Sequence, residues 1–264
     1  MITESQNINI VIAGYPKSGT MWTTRLVAQV LECPVNGYWG VNENTTVMEG
    51  DSRVSHCTCY LSHHLYEELI SSRHPDIHKI IYLVRDPRDI VISGAYHFNF
   101  YHQPVSRLKH GITDPGIFLR CLKFISRTTY RRKQKIQRMI GMLKNGDPYI
   151  NQCQYPWDHH INSYMDQDVL FVRYEDLLRD GFTEVSRILS FIGTSKNEDE
   201  IRYAIKKQSF ESRKSEFVEK GDKVRVKHLR KGMAGDWKNY LSEKENRDLC
   251  DYFIDLMKKL DYEM

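Results

Sequence analysis

No apolar run in this chain of 264 residues approaches the roughly 18 to 20 residues that a membrane-spanning helix needs. Nor does the segment Met1 to Asn9 join a cationic stretch to an apolar one, so no secretory leader is expected and a cytoplasmic protein is. Cysteine is sparse: Cys33, Cys57, Cys59, Cys121, Cys153 and Cys250 are too scattered for a disulfide framework and read as reduced thiols. The excess of one charge sign over the other is small too. A formal net charge of +4 is far from a nucleic-acid-binding tail and points to a basic pocket rather than a basic surface. Internal repeats and low-complexity linkers are missing, so residues 1–264 are expected to form a single domain. At 41% hydrophobic and 27% charged, the chain has the material for a core, which excludes disorder as its main theme.

Against that background three short runs rich in β-branched residues stand out. Ile8 to Ala13 is broken by Gly14 and Pro16 and reads as a buried strand ending in a turn. Trp22, Leu26 and Val30, with Val27 and Leu31, then form one stripe of a helix that starts near Thr20. Residues His78 to Val84 and Asp168 to Tyr174 are two further strands, each running into a polar segment. Apolar strands alternating with helices imply an α/β fold, a central parallel sheet flanked by helices. Ligands of such sheets bind beyond the carboxyl ends of the strands. Gly116 to Asn145 is helical in pattern; Arg127, Arg131, Arg132, Lys133, Lys135 and Arg138 in it read as a solvated face before an anionic-partner patch. Ser242, with Glu245 three residues on, opens a final helix whose buried stripe is Leu249, Phe253, Leu256 and Leu260.

Gly14-Tyr15-Pro16-Lys17-Ser18-Gly19-Thr20 lies between the first strand and the first helix, where backbone N–H groups and the helix dipole both favour an anion. Lys17 adds a full charge, Ser18 and Thr20 add hydroxyls, and Gly19 lets the backbone approach a ligand. This is a P-loop-like phosphate cradle, but in a Walker A loop the lysine follows the second glycine, whereas Lys17 precedes Gly19. A magnesium-dependent grip on a triphosphate is therefore disfavoured. The 78–84 strand ends in Val84-Arg85-Asp86-Pro87-Arg88-Asp89, with Ser93 eight residues beyond Arg85. A guanidinium there offers a forked contact to phosphate. Late in the chain stands Arg230-Lys231-Gly232-Met233-Ala234-Gly235-Asp236-Trp237-Lys238, two cations before two glycines. Three such segments imply one ligand with two phosphate ends.

Together PKSGT, RDPRD with Ser93, and RKGMAGDWK resemble the three signature regions of the cytosolic sulfotransferase family, in order and spacing over residues 8 to 242. The resemblance implies transfer of a sulfuryl group from 3′-phosphoadenosine 5′-phosphosulfate to a hydroxyl or amine, leaving adenosine 3′,5′-bisphosphate. By similarity Lys17, Ser18, Gly19, Thr20, Met21 and Trp22 would hold the 5′ end of this cofactor, Met21 standing where the family has a second threonine. Arg85 and Ser93 would hold the 3′-phosphate with Arg230, Lys231 and Gly232. Tyr174 would face the adenine, and Ser209 and Phe210 match a T-S-F segment in which Gln208 replaces the threonine. Lys17 and Ser93 are counted with the base among the catalytic residues.

That base lies in a K-T-H-L-P segment of the family. Leu61-Ser62-His63-His64-Leu65-Tyr66 aligns His64 with it, and His63 is the choice that a one-residue slip selects. A rival reading of His56, Cys57, Cys59, His63 and His64 is a zinc cluster, although C-x-C then H-H is not a common structural pattern and the family needs no metal. The acceptor pocket is expected in residues 33–49 and 95–113, which hold Tyr38, Trp39, Tyr96, His97, Phe98, Phe100, Tyr101 and His102. Aromatics suit a phenol or alcohol; Glu43, Glu49 and Asp51 would instead suit a guanidinium or amine. Neither a nucleic acid nor a membrane is expected as partner. In the family's dimer segment, Glu243 and Arg247 replace a valine and a glutamate, which leaves a monomer open. A P-loop kinase or hydrolase, and a non-catalytic nucleotide-binding protein, are the competing readings.

Overall fold

The computed structural model describes residues 8–39, 47–71, 76–98, 100, 132–223, 226 and 229–264. Cys121, Arg127, Arg131, Glu43, Tyr101, His102 and the helix expected before residue 132 lie outside them.

Five strands form one parallel sheet: β1 (Ile8–Ala13), β2 (Val35–Tyr38), β3 (Cys57–Ser62), β4 (Lys79–Val84) and β5 (Leu170–Arg173), in the order β2-β3-β1-β4-β5. Parallel register runs from Ile8 opposite Cys57 to Ala13 opposite Ser62, and from Ile81 opposite Leu170 to Val84 opposite Arg173. The chain thus has the expected α/β architecture. The sequence reading of 78–84 and 168–174 as strands is trimmed by one to two residues at the ends, and β2 and β3 are additions to it.

Side chains of a strand alternate between faces, and Ile8, Ile10 and Ile12 of β1 enter one core with Ile81, Leu83 and Val172. Helices cover that core. They are α1 (Thr20–Val30), through Leu26, Val27 and Val30, and further along the chain Gly181–Ile192 and Glu198–Lys207, through Val185, Ile188, Leu189, Ile201 and Ala204. Among the described residues the helices that follow α1 are, in chain order, α2 (Tyr66–Ile70), α3 (Pro87–His97), α4 (Arg132–Asn145), α5 (Trp157–Asn162), α6 (Tyr174–Arg179), α7 (Gly181–Ile192), α8 (Glu198–Lys207), α9 (Phe210–Glu219), α10 (Glu243–Tyr252) and α11 (Ile254–Lys259).

Contacts divide the chain into two units, residues 1–86 with 159–235, and residues 87–158 with 236–264. The first carries the sheet. In the second, Gly94 of α3 lets Met139 of α4 sit against its backbone. Arg88 donates to the Glu263 carbonyl at 2.7 Å and lies 4.0 Å from the Trp237 ring, while Asp89 accepts from the Trp237 amide at 3.0 Å. Of the RDPRD segment, Arg88 and Asp89 are therefore tied to the protein itself. Ser242 caps α10 as expected, accepting from the Glu245 amide, but the final helix breaks at Phe253 into α10 and α11. In the described part of the cationic stretch Arg132 and Lys133 are exposed, as a solvated face requires, whereas Lys135 is half-buried and Arg138 is half-buried and paired with Asp147 at 3.1 Å.

Candidate active site

The carboxyl ends of β1, β3, β4 and β5 each deliver part of one site in the first unit. After β1, Lys17 adopts φ +75° and Gly19 φ +99°. The left-handed region costs a non-glycine residue roughly 1–2 kcal/mol, and Arg85, just past β4, holds Lys17 there by donating to its carbonyl at 3.1 Å. A Cβ at Gly19 would collide with the Tyr174 ring, 2.6 Å away, so the loop lies flat on the residue that follows β5.

Gly19 caps α1 without any side-chain hydrogen bond, so the first amides of an 11-residue helix point outward. The Ser18 and Thr20 hydroxyls are buried, at 0% and 3% exposure, with no hydrogen-bond partner among the described residues. Buried hydroxyls left unpaired are costly. Two of them beside open helix amides and a lysine fit a phosphate group, which supplies acceptor oxygens at that spot.

Arg85 also donates to the Met233 carbonyl at 3.1 Å and stacks 4.3 Å from the Tyr174 ring. Residues from the ends of β1, β4 and β5 and from the late basic segment are thereby drawn together. Gly232, at φ +64°, rests against Phe210, where a Cβ would stand 2.5 Å from the ring. Trp22 meets Tyr174 edge-on at 5.6 Å and donates its indole N–H to the Gln208 carbonyl at 2.7 Å. Ser209 caps α9, accepting from the Ser212 amide at 3.2 Å. Met21 is half-buried in the first turn of α1, Arg230 is half-buried and Lys231 exposed. Ser93 lies on α3 in the second unit.

The two histidines after β3 part company. His63 Nδ1 sits 2.7 Å from the Gly14 carbonyl, and its ring lies 5.9 Å from that of Tyr38. A carbonyl only accepts, so Nδ1 carries the proton and Nε2 keeps its lone pair. Part of the ring's surface stays open, yet protein crowds it, and burial with the Lys17 charge lowers its pKa to about 4 against the Gly14 hydrogen bond. His64 Nδ1 lies 3.6 Å from Glu68 Oε2 of α2, with about 42% of its side chain exposed.

Cys57 and Cys59 face the helix-side core, where Cys59 meets Cys33 at 3.5 Å between sulfurs and burial lifts the Cys57 thiol to about 11. Among the described residues no three His, Cys, Asp or Glu side chains are grouped to hold a metal ion. Of the expected acceptor-pocket aromatics, Trp39 and Phe100 are buried, at 2% and 3% exposure, Trp39 edge-on to Tyr60. Glu49 is engaged by Arg25 at 3.0 Å and Arg213 at 2.8 Å, and accepts from Gln208 at 3.2 Å. It is not held open for a cationic acceptor.

A sulfotransferase domain model matches residues 7–261. The chain belongs to the sulfotransferase family. Mouse Sulfotransferase 2A6 is 24% identical over 273 residues, covering 94% of this chain and 84% of the relative. The structure of mouse sulfotransferase SULT7A1 complexed with PAP superposes with a TM-score of 0.64 at 21% identity, over 98% of this chain and 86% of that one. Retinol dehydratase, in complex with androsterone and the inactive cofactor PAP, gives a TM-score of 0.60 at 18% identity, over 98% and 82%. This sulfotransferase shares their fold. None of its described helices is long and apolar enough to cross a membrane.

Sequence reasoning missed several residues that shape the site. Glu175 accepts from the Asp86 amide at 3.0 Å and locks the end of β4 to α6, burial raising its pKa. Tyr82, His160 and Tyr164 lie behind the histidines. Their partners are 78 to 100 residues away in sequence, so no local pattern announces them.

Proposed function

We propose that this sulfotransferase moves a sulfuryl group from 3′-phosphoadenosine 5′-phosphosulfate to a hydroxyl or amine of a small-molecule acceptor, with His63 as general base. The observation that carries the reading is the pair of unpartnered buried hydroxyls, Ser18 and Thr20, at the open end of α1 beside Lys17. Both are accounted for by a phosphate oxygen, and the amides from Gly19 to Trp22 would accompany them, which leaves Met21 a backbone role. Arg85, Arg230, Lys231 and Gly232 would hold the 3′-phosphate; Trp22, Tyr174, Ser209 and Phe210 would frame the adenine. The fold of PAP-bound neighbours supports this donor.

When bound, the donor supplies a sulfuryl group whose sulfur bonds to the acceptor atom as its bond to the bridging phosphate oxygen breaks. Lys17 would neutralise the charge that develops on that oxygen, an electrostatic role worth roughly 3–4 kcal/mol per well-placed donor. His63 Nε2 would take the acceptor's proton, as an unprotonated imidazole nitrogen can. An anion beside His63 raises its pKa toward neutrality. The family resemblance aligns His64 with the base, but its ring turns to Glu68, whereas His63 reaches the phosphate loop. Tyr38 beside His63 supports a ring-bearing acceptor, as do the androsterone and retinol of the neighbours.

The family match spans both contact units, which supports reading 1–264 as one sulfotransferase domain. The described cysteines are free thiols, in keeping with a cytoplasmic location. Glu243 and Arg247 support a chain without the family's usual dimer contact; gel filtration tests that. The function itself is tested by incubating the chain with the donor and a panel of phenols, alcohols and guanidines, with mass spectrometry of the products. Sulfated phenols or alcohols are expected. A magnesium-dependent ATP turnover without any sulfated product would revive the kinase or hydrolase reading.

A further inference from the structure

Strand pairing between β1 and β3 ends at Ala13 opposite Ser62, with one more hydrogen bond from the Gly14 amide to the Ser62 carbonyl at 3.2 Å. Beyond it the phosphate loop and the histidine pair would be free to drift apart. What joins them is a set of side chains on the sheet face that carries Tyr82. Its hydroxyl lies 2.8 Å from His160 Nδ1, and His160 Nε2 lies 3.0 Å from the His63 carbonyl.

The polarity of this chain is forced. The His63 carbonyl can only accept, so the proton of His160 is on Nε2; Nδ1 then has a lone pair, and Tyr82 must donate to it. Burial raises the pKa of that phenol, and a hydrogen bond from the Tyr15 backbone, which only its N–H can donate, opposes the rise. His63 in turn donates from Nδ1 to the Gly14 carbonyl. The bonds therefore run from Tyr15 through Tyr82, His160 and His63 to Gly14, leaving the phosphate loop at one residue and returning at its neighbour. A second strut runs alongside: Tyr164 donates to the His64 carbonyl at 2.7 Å, and its ring stacks with His160 at 5.8 Å. Tyr82, His160 and Tyr164 are 0%, 1% and 0% exposed, so none touches a substrate.

We propose that His160, oriented by Tyr82, is a positioning residue that fixes the spacing between the phosphate loop and the base His63. This rests on the reading of His63 as base. Burial keeps His160 neutral, with a pKa lowered to about 4, so the single-proton arrangement holds at neutral pH.

The test uses the full chain with His160→Gln, His160→Leu and Tyr82→Phe. A glutamine amide can still donate to the His63 carbonyl; leucine cannot. The expected result for His160→Leu is a kcat lower by roughly 100-fold, the scale of a 1 Å misplacement. Its affinity for adenosine 3′,5′-bisphosphate should stay within about 3-fold of the parent, and His160→Gln should recover at least about 10-fold of the lost kcat. Equal losses in the two variants, or none in His160→Leu, would overturn the proposal. If His160→Leu does not fold, Tyr82→Phe decides, with roughly 10-fold lower kcat expected and an unchanged kcat fatal. Imidazole ¹⁵N NMR of the unliganded chain gives a readout independent of turnover: His160 protonated on Nε2 and His63 on Nδ1. The opposite tautomers refute the strut, whereas correct tautomers in a protein that His63→Ala leaves active refute the base assignment alone.

Discussion

Two polar clusters of the same unit treat their buried groups in opposite ways. At the phosphate loop, Ser18 and Thr20 hold hydroxyls out of water with nothing among the described residues to bond. Beside β2, where Glu49 pairs with Val35 in an isolated bridge, one carboxylate is met by Arg25, Arg213 and Gln208, and Arg53 reaches Gln29 at 2.7 Å. The first arrangement raises the free energy of the ligand-free chain and the second lowers it. A buried polar group that is left wanting marks a place for a ligand; one that is saturated marks architecture.

The sharpest break would come from the histidines. His63→Ala is expected to reduce kcat by about 1,000-fold with bisphosphate affinity retained. His64→Ala should stay within about 10-fold of the parent. Steady-state kinetics beside calorimetric titration read both, and the reverse ranking would return the base to His64. At the saturated cluster, Glu49→Ala removes the carboxylate shared by two arginines that are 12% and 7% exposed, while Arg213 keeps Glu216 at 2.7 Å. A loss of about 3 kcal/mol in denaturant unfolding is expected, with a far smaller change in ligand affinity.

Acid should find the buried imidazoles next. His63 and His160 both have pKa values lowered from 6.5 to about 4 in the fold. The unfolded chain therefore binds more protons between those values, and stability is full above about pH 6.5 and falls as pH drops toward 4. Roughly 2 kcal/mol per histidine should be gone at pH 5; a flat urea midpoint from pH 7 to 5 would contradict it. The smallest effect is the most diagnostic. Ser18→Ala should weaken bisphosphate binding by about 10-fold, yet leave the melting temperature of the free chain unchanged or higher. A lower melting temperature would mean that the hydroxyl has a structural partner after all.

How much of this could be read from residue order varies with range. β1, α1 and the loop between them were legible because Ile8 to Thr20 carry their signals locally, and Arg85 and Tyr174 because each follows an apolar run. β2 was not, since Val35-Asn36-Gly37-Tyr38 is short and interrupted by polar and glycine residues. β3 was hidden by its own cysteines, which drew attention as metal ligands with His56, His63 and His64. The choice between His63 and His64 turns on which face of an extended chain each occupies, and a slip of one residue reverses that. Glu49 reads as open to an acceptor in the sequence because its partner Arg213 stands 164 residues on, beyond any local pattern.

Arg85 illustrates how little of a residue's duty its charge expresses. Its two terminal nitrogens go to the carbonyls of Lys17 and Met233, segments more than two hundred positions apart. A planar fork can serve both at once; an ammonium on a flexible stem cannot. Lysine at this position would keep the positive charge and still let the clasp fall open, so that the late basic segment, however well composed, would have nothing to close against.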